Sequence, residues 1–254
     1  MEYRTLRDAM QQDEFMKEAY TKQRYHRTRD IIDQDRLKSI TLIGIGAIGS
    51  EILVQLSIMG FEEITIYDDD KLELHNLATT KFPQEHLGND KVEAGKIFGE
   101  EFNFVNIVRK LERFERWSEL SPITIICTDD MESRLTAYNV WKKLPNREIF
   151  IDVRMDLLSI EVITTTAYFD NYIEYWKPSE EIEDAPCTMK HTIFTSAIAA
   201  GHAIKNLFLT IMNKPYFEYE WHGLSPLSIE TKSYIIPEGE YKDDPEKEET
   251  SEED

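Results

Sequence analysis

The fold is decided by one stretch: Ser39-Ile40-Thr41-Leu42-Ile43-Gly44-Ile45-Gly46-Ala47-Ile48-Gly49-Ser50, continuing through Glu51–Met59, Gly60 and Glu63–Tyr67. Ser39–Ile45 is a short run rich in β-branched residues, the pattern of a strand buried on both faces. Ser50–Met59 switches to helical spacing, and Gly60 marks its stop. Glu63–Tyr67 is a second strand, ending in Asp68-Asp69-Asp70. Strand, helix and strand in this order form a βαβ unit, which implies a parallel sheet with helices on its faces. The glycines at 44, 46 and 49 form a G-x-G-x-x-G turn between strand and helix. They permit tight turning and close backbone approach, while the helix start offers unpaired N–H groups to phosphate. Asp68, about twenty positions further on, suits ribose hydroxyls. On the residues alone, the turn accommodates a dinucleotide such as NAD or FAD, or an adenylate.

Further strands are expected at Ile107–Phe114, Pro122–Cys127, Glu148–Val153 and Ile160–Tyr168, with a helix over Glu132–Lys143. A polar connection covers Phe169–Pro186 and leads into the longest apolar helix, His191–Met212. Tyr216–Trp221 and Leu227–Ile236 read as a closing hairpin. Residues 1–38 are polar and helix-prone, with apolar positions (Met10, Phe15, Met16, Tyr20) too sparse for a core of their own. The expected division is therefore an N-terminal helical segment over 1–38, an α/β domain over 39–236, and an acidic tail over 237–254. That tail holds ten acidic residues and two lysines, with no aliphatic side chain, and is expected to stay solvated and disordered.

The chain has 254 residues, 49 Asp and Glu against 29 Lys and Arg, and a formal charge of −20. Such acidity argues against nucleic acid or an anionic membrane as partner, because both carry phosphate charge. No apolar run reaches the roughly 18 residues of a spanning helix, and the first twenty residues lack the apolar centre of a signal peptide. A cytoplasmic protein is expected. Two cysteines, Cys127 and Cys187, cannot make a disulfide framework or a four-cysteine zinc site.

The residues after the second strand narrow the ligand. Asp68-Asp69-Asp70-Lys71-Leu72-Glu73-Leu74-His75-Asn76-Leu77 resembles the D-x-D-x-V-x-x-x-N-L motif of the ThiF/MoeB/HesA superfamily. These are the ubiquitin-activating-like enzymes that adenylate the C-terminus of small ubiquitin-fold proteins. In register with it, Gly88-Asn89-Asp90-Lys91 resembles that family's G-x-x-K, Thr128-Asp129-Asp130 its T-D-N, and Arg24-Tyr25-His26-Arg27 its R-Y-x-R. The resemblance covers residues 24 to about 212. It implies a doubly wound, mostly parallel Rossmann-like α/β sheet with an antiparallel extension, using ATP and Mg²⁺. It also implies site roles. Gly44, Gly46, Ala47 and Gly49 would cradle phosphate, with Asp68 and Asp70 at the nucleotide. Asn76 would orient the phosphates or the attacking carboxylate. Lys91 would hold phosphate as a point charge, and Asp129 would hold Mg²⁺. Arg27 would come from the second subunit of a homodimer, where a rigid guanidinium suits transition-state charge. The implied partner is a small ubiquitin-fold or sulfur-carrier protein.

The chain departs from the family pattern at three places. The motif continues N-L-x-R-Q, but Thr79 stands where the arginine belongs. Losing one such charge costs on the order of 2–4 kcal/mol of transition-state stabilisation, unless Lys81 or Arg29 substitutes. A catalytically degenerate nucleotide-binding scaffold is the alternative. Ile126 replaces an aspartate usual before T-D-N. The paired C-x-x-C sites of many relatives are missing, so no structural zinc is expected. Ala185-Pro186-Cys187-Thr188-Met189-Lys190 is similar to the thioester-cysteine string of eukaryotic activating enzymes. A thioester or persulfide on Cys187 is one expectation, and an unreactive loop thiol the other. Cys127, closing an apolar strand, is expected in the core. Arg154 is expected either at the substrate tail or in a salt bridge to Asp152 or Asp156. His202 reads as a satisfied histidine on an apolar helix. An NAD-dependent oxidoreductase rests on the glycine turn alone and leaves Asn76, Lys91 and Asp129 without a role.

Overall fold

A computed structural model describes residues 14–28, 30–181 and 192–236. The N-terminal helix α1 (Glu14–Arg24) precedes β1 (Ser39–Ile43), α2 (Ala47–Met59), β2 (Glu63–Tyr67), α3 (Lys91–Phe102) and β3 (Asn106–Lys110). Then come β4 (Ile123–Ile126), α4 (Met131–Trp141), β5 (Ile149–Met155), β6 (Ser159–Thr166) and the short α5 (Tyr172–Tyr175). The long α6 (Ile193–Ile211) and the hairpin β7 (Tyr216–Leu224) and β8 (Leu227–Ile235) complete the order.

The strands form one eight-stranded sheet in the order β3-β2-β1-β4-β5-β6-β7-β8. Pairings from β3 across to β5 are parallel and those from β5 to β8 antiparallel, so the sheet is doubly wound with an antiparallel extension. Ile40, Leu42, Ile64, Ile66, Ile125 and Ile151 are fully buried, as the β-branched runs require. They join residues of α2, α3 and α6 in one core. A second, aromatic core lies around α4, where Tyr138 stacks on Tyr172 at 4.4 Å and Trp141 and Phe150 pack beside them.

The chain runs outward from β1 through β2 to β3, then restarts on the other side of β1 at β4. The β1/β4 boundary is thus the topological switch point, where open α/β sheets bind ligands beyond the strands' carboxyl ends.

Several boundaries differ from expectation. β3 stops at Lys110 instead of Phe114, because Phe114 leaves the sheet and packs edge-on against Tyr67 at 5.2 Å. α4 covers Met131–Trp141, not Glu132–Lys143, since Asp130 caps it. α6 begins at Ile193, two residues later than expected, with Thr192 accepting from the Thr195 N–H. Tyr20 of α1 packs edge-on against Phe104 at 4.9 Å, and the Arg24 guanidinium donates to the Phe102 carbonyl, so this helix docks beyond the end of α3. No helix of the described residues is long and apolar enough to cross a membrane. Residues 237–254 and Arg29 lie outside the described residues, as does Cys187.

Candidate functional site

The glycine turn sits at the switch point. Gly44 has φ +86°, a left-handed backbone that favours glycine, and a Cβ there would stand 3.1 Å from the Cys127 carbonyl. Gly49 lies in the first turn of α2, and a Cβ on it would come within 2.0 Å of the Gly44 oxygen. At Gly46 an added Cβ would meet no atom of the described residues within 4 Å beyond its chain neighbours, so the space beside it is open. Two of the glycines therefore close the turn and the third faces room for a ligand. Gly49→Ala is expected to cost about 3 kcal/mol or more through a backbone clash. Gly46→Ala is expected to melt close to wild type yet bind nucleotide at least tenfold more weakly. Thermal melts combined with nucleotide titration separate the two effects.

Asp68 is the first residue after β2, and its side chain is only 8% exposed. Its carboxylate ties three parts of the crevice together. Oδ2 accepts from the Ile45 N–H at 2.8 Å, inside the glycine turn, and Oδ1 accepts from the Asp70 N–H at 3.0 Å. Lys91 Nζ lies 3.6 Å from Asp68 Oδ1 and 2.6 Å from Asp70 Oδ2. Burial pushes the Asp68 carboxyl above its ordinary value despite Lys91 and the two backbone donors.

Lys91 reaches this place through a local bridge. Residues 71 and 90 pair in antiparallel fashion, with the Leu72 N–H donating to Asn89 and the Lys91 N–H to Asp70. Lys91 is the first residue of α3, where the helix dipole disfavours a cation. Burial disfavours its charge further, but Asp68 and Asp70 outweigh both effects and hold its pKa above the ordinary lysine value. The result is a buried ammonium held by two carboxylates, one of which, Asp68, also accepts from the glycine turn. Its Asp70 partner is exposed and its Asp68 partner is not.

Asn76 is partly buried in the one-turn helix Leu74–Ala78, and its Oδ1 accepts from the Glu73 N–H at 2.9 Å. That bond fixes the side chain and leaves its amide NH₂ as the group to offer a ligand. Thr79 closes this turn. Lys81 comes next, with its backbone N–H on Ser50 Oγ at 3.0 Å and its ammonium 3.0 Å from the buried Glu51 carboxylate. Lys81 thus stands beside the first turn of α2, its ammonium paired with Glu51.

Asp129 is exposed, three residues past the end of β4. Asp129 does not cap α4: Asp130 does, accepting from the Ser133 N–H at 2.7 Å while 3.3 Å from Arg113. The Cys127 N–H donates to the Ile43 carbonyl, which fixes the Thr128–Asp129 segment against the end of β1 and the glycine turn. Cys127 itself is a packed residue. Its thiol lies 3.1 Å from the Gly44 oxygen, and burial pushes its pKa up to about 12, far from a reactive thiolate.

Arg154 is bound within the protein. Asp152, fully buried in the middle of β5, accepts from Arg154 Nη2 at 2.7 Å, from Tyr172 OH at 2.8 Å, and from Arg134. Arg154 also bonds Glu161 at 2.6 Å, and Arg134 donates to the Thr128 carbonyl. This cluster braces the loop that carries Asp129. Motif reading supplied Asp129; the brace behind it carried no motif and was visible only as isolated charges near strand ends.

Arg27 is not brought to this crevice. Tyr25, two residues before it, is buried beside Gly60, with its OH accepting from Asn103 at 2.8 Å. Gly60 is the far end of α2 from the glycine turn, about 20 Å away along a 13-residue helix. Asp68 joins Asp70 and Lys91 to the glycine turn of Gly44, Gly46, Ala47 and Gly49. Asn76 lies in the following one-turn helix and Asp129 past the end of β4, whereas Arg27 lies toward the opposite end of α2 and Cys187 outside the described residues.

Residues 25–140 match the model of the ThiF family. Ubiquitin-like modifier-activating enzyme 5 of Culex quinquefasciatus is 27% identical over 125 residues, covering 41% of this chain and 30% of that protein. The Drosophila erecta enzyme of the same name is 31% identical over 90 residues, or 35% of this chain and 20% of that protein. The chain therefore spans less than a third of the length of these curated relatives. Among solved structures, PaaA superposes with a TM-score of 0.67 at 17% identity, over 85% of this chain and 75% of its own. Escherichia coli MccB with ATP superposes with a TM-score of 0.61 at 16% identity, over 80% and 66%. At such identities these structures establish the fold.

Proposed function

We propose that this chain, whose residues 25–140 match the model of the ThiF family, uses Mg-ATP to adenylate the C-terminal carboxylate of a small ubiquitin-fold or sulfur-carrier protein. The observation that carries this reading is the buried Lys91 ammonium, held by Asp68 and Asp70 against the glycine turn at the switch point. A hydride-transfer reading rests on the glycine turn alone and gives Asn76, Lys91 and Asp129 together no account, whereas adenylation gives each a task. In that reaction a carboxylate oxygen attacks the α-phosphorus, the bond to the bridging oxygen breaks, and pyrophosphate leaves with its charge. The site must neutralise that charge.

Each residue then has a task. Unpaired N–H groups at the start of α2 receive phosphate oxygens. Asp68 accepts from the ribose with the valences that Ile45 and Asp70 leave open. Lys91 exchanges its exposed partner Asp70 for phosphate while keeping Asp68. Asn76 directs its amide NH₂ to the phosphates or the incoming carboxylate. Asp129 offers carboxylate oxygens to a hard cation, and its freedom from helix capping fits that use. Magnesium, when bound, supplies charge neutralisation at the leaving group. Lys81 provides the cation missing at Thr79. Arg27, remote from its own chain's crevice, acts on a second copy in a homodimer. In a separate step the Cys187 thiolate attacks the acyl-adenylate carbonyl, so that the C–S bond of a thioester forms as AMP leaves. A persulfide on Cys187 instead requires sulfane sulfur handed over by a separate donor, with no AMP released in that transfer.

Pyrophosphate exchange into ATP, measured with candidate carrier proteins, tests this directly. Wild type is expected to exchange in the presence of its carrier, and Asp129→Ala to fall at least a hundredfold. Equal rates for both proteins would sink the activity. Thr79 favours a second reading, a degenerate scaffold that binds ATP without turning it over; binding with no exchange for any carrier would select it.

A further inference from the structure

A second constellation lies three strands away from β4, on the antiparallel extension and independent of the nucleotide reading. Glu220 and His222 are two apart on β7 and so share the face that α6 covers, and His202 of α6 comes down on them. His202 Nδ1 and His222 Nε2 each lie 3.2 Å from the same atom, Glu220 Oε2. All three ligand atoms are within 4.8 Å of one another. Glu220 is 2% exposed and His222 is 11% exposed, while His202 at 27% opens the cluster to solvent. From these positions we propose that His202, Glu220 and His222 form a site for a divalent transition metal of the Zn²⁺ type.

Two geometric facts favour a metal over plain hydrogen bonding. Both contacts stand at 3.2 Å, the long end of ordinary hydrogen bonding. That spacing matches the edge between neighbouring ligands of a tetrahedral ion, about 3.3 Å for metal–ligand bonds of about 2.0–2.1 Å. The cation position is also marked already. Lys205 Nζ sits 2.7 Å from both Glu220 oxygens and 3.4 Å from His202 Nδ1, so a positive charge stands beside two of the three ligand atoms. Lys205 is 41% exposed on a flexible stem and can withdraw in favour of a more strongly bound dication. Asn206, one turn from His202 and hydrogen-bonded to Glu220, buries a side-chain oxygen that has no hydrogen-bond partner among the described residues.

His₂Glu with an open fourth position is a ligand set zinc accepts. Two cysteines cannot make a four-cysteine zinc site, which leaves this one untouched. Calorimetric titration of the metal-stripped full-length chain with zinc chloride tests the assignment. Wild type is expected to bind one equivalent, His202→Gln and His222→Gln each to bind at least tenfold more weakly, and Lys205→Met to bind more tightly because the competing ammonium is gone. Circular dichroism confirms that each variant is folded. The site is overturned if wild type binds no zinc, if the double histidine variant titrates like wild type, or if Lys205→Met loses the metal.

Discussion

Lys91→Met is expected to lower carrier-dependent pyrophosphate exchange by about 10²–10³-fold, the loss that accompanies removal of one preorganised charge at a developing anion. The side chain belongs to a residue 8% exposed overall, so no solvent cation readily takes its place. Methionine keeps the length and apolar stem while deleting the ammonium. The fold is expected to survive, because the charge left behind has an exit. Burial already pushes the Asp68 carboxyl upward, and without Lys91 it protonates more readily while keeping the Ile45 and Asp70 N–H donors. A melting temperature within a few degrees of wild type, together with the collapse in exchange, separates a lost catalytic charge from a lost structure.

The largest effect on stability is expected at Asp152. Two guanidiniums, Arg134 and Arg154, and the Tyr172 hydroxyl converge on one fully buried carboxylate. Removing one partner of a buried ion pair leaves uncompensated charge and costs about 3–5 kcal/mol. For a chain of this size Asp152→Ala should therefore lower Tm by about 6–20 °C. Burial alone would raise the Asp152 carboxyl, but Arg134 and then Arg154 outweigh it and hold it below the ordinary carboxylate range. A carboxyl with a depressed folded pKa contributes stability that is fully present above its unfolded value, about 3.9. It loses that contribution as pH falls from there toward the folded value. Melts at pH 7 and pH 5 should therefore show the same gap between wild type and Asp152→Asn, and melts between pH 4 and pH 3 a narrowing one. A gap unchanged down to pH 3 would mean that Asp152 is not the charged centre of the cluster.

The parallel half of the sheet was legible in the sequence because buried β-branched runs and a glycine turn admit few alternatives. Ends of elements were less so. Phe114 continues the alternation of β3 yet leaves it for Tyr67, a choice made by the aromatic core and not by local pattern. The Thr128-Asp129-Asp130 motif located the strand end, but which aspartate caps α4 depended on backbone geometry that the three letters do not encode. Lys91 was nameable by motif alone. Its burial depends on the bridge between residues 71 and 90 and on two carboxylates some twenty positions earlier. His202 offered no signal at all. Its partners lie on a strand with period two while it sits on a helix with period 3.6, so only the packing of α6 on β7 makes the three a group.

Adenylation by this chain requires above all that the crevice at the β1/β4 boundary hold Mg-ATP. Calorimetric titration of the full-length chain with ATP, with and without magnesium and alongside Lys91→Met, measures this without any carrier protein. One saturable site that weakens at least tenfold without magnesium, and again in the variant, is the predicted result. Absence of heat with wild type, or identical isotherms for wild type and Lys91→Met, would contradict it.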